Sequence, residues 1–178
     1  MGNFISRIIR AAKLEAHLYE EVEADKTAMR QAMLVVVLSG VAAGLGNVAK
    51  GGLPGILLGT VAALIGWYIW AFLIYLIGTK LLPEPNTRSD IGELLRTIGF
   101  SSSPGLIRVL GVIPGLEGGV FFMVATVWML VAMVVAVRQA LDYTGTMRAI
   151  AVCIIGWIVQ ILIIMLLLSL FGGLPKPT

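Results

Sequence analysis

The residues of this chain that could do chemistry are few and far apart. Arg108 sits in an apolar run, between Leu106-Ile107 and Val109-Leu110. A guanidinium at membrane depth costs about 2.5–3.5 kcal/mol on insertion scales, so it calls for a counter-charge or access to water. Glu93, Glu117 and Asp142 are the carboxylates that could answer it. Such an arginine serves as half of a structural pair, as a gate, or as a contact for a lipid headgroup. Gln160 lies near the centre of the last apolar stretch, where its amide seeks an interhelical hydrogen bond of about 0.6–2 kcal/mol. His17 is the single histidine and offers no metal-ligand set by itself. The acidic run Glu20, Glu21, Glu23 and Asp25 lacks the spacing of a calcium loop. Cys153 is the single cysteine, which excludes an intramolecular disulfide and a Cys-rich metal site. These residues form no nucleophile–base pair, no paired intramembrane carboxylates and no phosphate loop. The expectation is a protein that is not an enzyme, with no cofactor, no metal and no nucleic-acid partner.

The elements that must hold these residues belong in lipid. Four stretches, 32–49, 53–77, 119–137 and 150–171, contain no Lys, Arg, Asp or Glu. Each is near or above the roughly 20 apolar residues that a helix needs to cross the hydrocarbon core. Only 13% of the chain is charged, against about 25% in soluble domains, so little remains for a soluble domain. The expected organisation is an amphipathic and acidic N-terminal segment (1–30), a transmembrane bundle (31–172) and a short tail (173–178). The first long apolar run starts after about 30 residues rich in both charge signs, which is not the plan of a cleavable signal peptide.

Within the first segment, Phe4, Ile5, Ile8, Ile9 and Ala12 recur at helical spacing, while Arg7, Arg10 and Lys13 fall on another face. This predicts a helix over 4–16 lying in the headgroup plane, with its basic side chains toward anionic lipid. The 89–115 region is the most irregular. Asp90 followed by Glu93 has the form of a capped helix start, Gly99 is expected to end that helix, and Ser103-Pro104 to start another. The run 104–113 is too short to span by itself. Joined to the preceding helix it crosses as a broken span; otherwise it dips in and returns.

Loop charges favour the crossing. With five spans, Arg7, Arg10, Lys13, Lys26, Arg30, Lys80, Arg88, Arg96, Arg138 and Arg148 fall on one side, and only Lys50 and Lys176 on the other. The positive-inside rule then puts the N-terminus in the cytoplasm and the C-terminus outside. The predicted fold is an all-α polytopic bundle of five transmembrane helices, the third short and broken, preceded by an amphipathic interfacial helix. Small residues four apart, at Gly40 and Gly44, Gly55 and Gly59, Ala62 and Gly66, and Gly111 and Gly115, are expected to let these helices approach closely.

One set of motifs carries a family likeness. Glu93-Leu94-Leu95-Arg96-Thr97-Ile98-Gly99-Phe100, Ser103-Pro104-Gly105-Leu106 and Ile113-Pro114-Gly115 form its centre. Trp128 to Met133, Val137-Arg138-Gln139-Ala140-Leu141 and the Tyr19…Glu21…Asp25…Gln31-Ala32 lead-in extend it over roughly 8–170. In these the chain resembles the Yip family of membrane proteins, named for interaction with Ypt/Rab GTPases, and its short prokaryotic members most of all. The resemblance implies five membrane helices and a cytoplasmic N-terminus, here in a prokaryotic cytoplasmic membrane. Eukaryotic members are implicated in vesicle trafficking and Golgi membrane organisation. This chain lacks their Asp-Leu-Tyr-Gly-Pro motif and has a short N-terminal arm, so Rab-type GTPase binding is not carried over. The expected role is a scaffold or accessory subunit that meets the lipid bilayer and other membrane proteins or itself. The alternative is a small transporter or channel using 89–115 and Arg108.

Overall fold

The computed structural model describes residues 4–113 and 119–170; Glu117, Gly115 and the tail 173–178 lie outside them. All regular structure among the described residues is helical. Two short helices come first, α1 (Phe4–Ala12) and α2 (Ala16–Ala24). Leu14, with φ of 62°, makes the reversal between them. A single 3-10 turn (Lys26–Ala28) follows, capped by the Asp25 carboxylate, which accepts from the Thr27 backbone N–H at 2.9 Å.

Four helices are long and apolar enough to cross a membrane: α3 (Met29–Gly46), α4 (Val48–Leu76, continued by a wider turn over Ile77–Leu81), α6 (Gly119–Ala140) and α7 (Thr146–Leu170). Their outward surfaces carry exposed apolar side chains, among them Leu57, Leu58 and Ile65 on α4, Val127 on α6, and Ile161 and Leu162 on α7. In water such a surface would drive aggregation; against acyl chains it is at home. The chain is therefore an integral membrane protein. Gly52 at the start of α4 has φ of 56° and ψ of −164°, a backbone open essentially to glycine, and Pro54 follows it.

Between α4 and α6 runs the fifth piece. α5 (Ile91–Ser101) opens with the expected capping box: the Asp90 carboxylate accepts from Glu93 N at 2.8 Å, and the Glu93 carboxylate from Asp90 N at 2.9 Å. Gly99 does not end this helix. It lies against Ala32 of α3, where an added Cβ would come within 2.7 Å of the Ala32 Cβ, so glycine here serves packing. A ten-residue 3-10 helix (Ser103–Val112) then continues the line, with Pro104 in its first turn.

This composite segment follows α3 in parallel. Gly99 faces Ala32, Gly105 faces Ser39 and Gly111 faces Gly46. From 32 to 46, α3 rises about 21 Å. From 99 to 111 the partner uses fewer residues but rises about 2.0 Å at each 3-10 step, and so keeps pace. The 11 residues of α5 and the 10 of the 3-10 helix together reach about 36 Å, more than the ~30 Å core.

One end of the bundle is polar. Tyr143, in the α6–α7 turn, donates to Leu82 O at 2.7 Å and Gly78 O at 3.1 Å. Glu84 accepts from Thr144 N and Oγ1 and pairs with Arg148. Gly78 leaves room for the Leu141 side chain. These contacts tie the loop after α4 to the loop after α6.

Candidate functional site

The N-terminal pair folds onto the polar end through buried charge. Arg7 is only 5% exposed and does not point to lipid. Its guanidinium pairs with Glu21 at 2.8 Å and Asp25 at 2.9 Å, and donates to Gln31 Oε1 at 3.0 Å. Arg10 pairs with Glu21 at 2.6 Å and Glu15 at 2.9 Å. Of the three basic residues expected at the membrane surface, Lys13 alone is exposed. The acidic patch that follows in sequence supplies the counter-charges, and it is cheaper to pair a guanidinium with two carboxylates than to leave it buried alone. The same contacts hold the Glu21 and Asp25 carboxyls below their ordinary range: for Glu21 the first cause is Arg10, for Asp25 it is the Thr27 hydroxyl. The outward face of α1 carries Ile5 and Ile9 instead. Trp128 of α6 donates to Ala12 O at 2.7 Å and so satisfies a carbonyl at the end of α1.

Arg96 has a role that its place in a loop-charge count conceals. It is buried, and its Nε donates to Val22 O at 2.9 Å and to Glu23 O, which its Nη2 also reaches. These are last-turn carbonyls of α2, so the guanidinium closes that helix and meets the negative end of its dipole. Burial pushes the Glu23 carboxyl up to about 7, aided by the nearby Glu93, Asp142 and Glu20 and opposed by Arg96. Glu93 and Asp142 thus belong to the polar end. Neither pairs with Arg108; Glu93 is about 26 Å from it by helical rise.

Arg108 lies where the 3-10 helix passes between α3 and α6. Its Nη2 donates to Thr126 Oγ1 at 3.1 Å, and its guanidinium carbon is 5.7 Å from the centre of the Phe122 ring. Its Nε is buried without an acceptor among the described residues. The winding of this segment brings Ser102, Gly105, Arg108 and Gly111 onto one line, three apart. Gly46 of α3 sits against the Arg108 carbonyl, and Gly105 against Ser39 Oγ and Met129 Sδ.

Beside Arg108 opens a groove of about 690 Å³. α3 contributes Ser39, Gly40 and Gly44, with Asn47 just past its end, and α4 contributes Gly55, Gly59 and Gly66, both at helical spacing. Trp70 and Gln160 lie along it as well. The small residues therefore divide by function. Gly40 and Gly44 give close packing, with added Cβ atoms 3.2 Å from Thr60 Cα and 2.8 Å from Ile56 Cα. Gly55, Gly59 and Gly66 do not pack against a neighbouring helix among the described residues: an added Cβ would meet nothing of them within 4 Å. They leave the groove open. Trp70 is 5% exposed and its Nε1 has no acceptor among the described residues. The arrangement offers an apolar slot with a cationic end. The orphan donors and the split among the glycines follow from which face each helix turns inward, which spacing alone does not reveal.

A family model, the Yip1 domain, matches residues 16–168. No curated protein and no solved structure gives a significant match.

Proposed function

Since this chain belongs to the Yip1 domain family, we propose that it works as a non-enzymatic membrane scaffold or accessory subunit of a larger membrane complex. The observation that carries this reading is the use made of its polar groups. Arg7, Arg96, Tyr143 and Glu84 each bind one chain segment to another at the polar end. Charge here builds a fixed platform above an apolar bundle whose exposed sides are available to neighbouring membrane proteins. We further infer five crossings with the platform in the cytoplasm. The parallel run of 91–112 along α3 and the bias of Lys and Arg support it. Mild extraction from native membranes followed by crosslinking tests the role. Reproducible co-migrating proteins are expected, and a monomer without crosslinked neighbours would count against it. The groove at Arg108 favours a second reading, a small transporter or channel. Its lining is mostly Gly, Ala, Met and Trp, with Ser39, Asn47, Ser102, Arg108 and Gln160 as the polar groups a solute would meet. Solute flux in proteoliposomes that is abolished by Arg108→Gln would replace the scaffold with the transporter.

A further inference from the structure

We propose that the groove beside Arg108 is a phospholipid site, with the lipid phosphate on the Arg108 guanidinium and one acyl chain laid along the glycines of α4. Three observations meet here. The first is charge. Arg108 has Thr126 and the Phe122 ring as neighbours but no carboxylate partner among the described residues, and its Nε is buried without an acceptor. The guanidinium as a whole is half-buried and lines the groove, and a cation there without a counter-charge suits an anion that brings its own oxygens, as phosphate does for a guanidinium.

The second is shape. Gly55, Gly59 and Gly66 leave a slot where, among the described residues, no atom beyond their own stretch of helix lies within 4 Å of their missing Cβ positions. Its 690 Å³ falls within the roughly 300–1,000 Å³ of ligand sites. The third is length. Ile98 packs in one cluster with Trp70 at the inner end of the groove, and Arg108 marks its outer end. From Ile98 to Arg108 the chain rises about 18 Å, close to the ~15 Å of half a hydrocarbon core. A lipid of the leaflet away from the polar end therefore reaches Arg108 with its headgroup while its chain ends near Trp70. A free anion would leave the slot empty, and a packed helix would leave Arg108 without a counter-charge among the described residues. The indole N–H of Trp70 gains no partner in this assignment.

The inference rests on the crossing of 91–112 proposed above, which topology labelling tests by itself. The experiment uses the full chain in detergent, incubated with dioleoylphosphatidylglycerol, with dioleoylglycerol, or with inorganic phosphate, and read by native mass spectrometry. The wild type is expected to retain the phospholipid and neither of the other two. Arg108→Gln removes the phosphate contact and Gly59→Leu fills the slot; each is expected to cut retention about tenfold or more, the loss of one charge-assisted hydrogen bond or of the chain's seat. Gly59→Leu has room at its Cβ, so it keeps the test open if Arg108→Gln does not fold. Retention unchanged in Gly59→Leu would overturn the proposal. So would dioleoylglycerol held as firmly as the phospholipid, or inorganic phosphate held without a chain.

Discussion

One buried charge of this protein, Arg96, closes a helix from a distance. A helix ends with carbonyls that have no partner, and at the end of α2 a buried arginine from a different helix supplies the donors. Arg96→Gln is expected to lower the thermal unfolding midpoint by an amount corresponding to about 1.5–3 kcal/mol, the range for hydrogen bonds from a charged group. Unfolding in detergent followed by tryptophan fluorescence checks this, and an unchanged midpoint would contradict the cap. Glu23 gives a pH signature. Its carboxyl is raised in the folded protein from 4.5 to about 7. Folding then favours its protonated form, so its contribution is full below pH 4.5 and is lost as the pH rises through about 7. Glu21 and Asp25, shifted down, act oppositely and cost stability only as the medium becomes strongly acidic. Glu23→Gln is expected to flatten the decline between pH 5 and 8, and a slope equal to that of the wild type would rule this out. The spacing of the acidic run shows that carboxylates are present there; it does not reveal that Arg7 and Arg10 turn inward to meet them.

At the scale of elements, the winding of one segment decides how the bundle is filled. A 3-10 helix of ten residues is long for its kind, since its hydrogen bonds are poorer than those of an α-helix. Here it is held by glycine contacts on both sides. Gly46 lies against the backbone carbonyl of Arg108, which no rotamer change can relieve. Gly46→Ala is expected to destabilise by about 1–3 kcal/mol through overpacking. Gly59→Ala, with open space around its Cβ, is expected to be neutral or to stabilise by up to about 1 kcal/mol. Measuring both midpoints under one condition tests the division: equal effects would mean that the two glycines do the same job. Sequence spacing marks Gly40, Gly44, Gly55, Gly59 and Gly66 alike as packing residues and passes over Gly46, because a four-residue repeat identifies a face of a helix and says nothing of what lies opposite.

For the molecule as a whole, the parity of crossings fixes which surfaces share a compartment. In a Cys153→Ala background, single cysteines at Gly2→Cys and Asn86→Cys are expected to react with an impermeant maleimide from the cytoplasmic side, and Thr178→Cys from the other. Both termini reacting from one side would mean that 91–112 enters and returns, and would remove the depth on which the lipid site depends. With five crossings, the α1–α2 pair, the loop after α4 and the α6–α7 turn gather on one face. That face is tied together by Gln139 to Glu20 at 2.8 Å and by Glu84 to Thr144.

The amino-acid sequence by itself determined the solvent of this protein, its helical class, its four long spans and the start of α5. Each is a property of neighbours along the chain: runs without charge long enough for a bilayer, and an Asp90–Glu93 pair three residues apart. The likeness of 93–115 to the Yip family was legible there too, and the family match agrees with it. Only the tertiary structure decided where each polar side chain finds its partner. Arg7 meets Glu21, Arg96 reaches back to α2, and Arg108 stands beside an open groove away from the carboxylates at the polar end. The reason is physical. A hydrophobic run is read residue by residue, but a buried charge is satisfied through space, by groups that the fold brings together from 14 to 74 residues away.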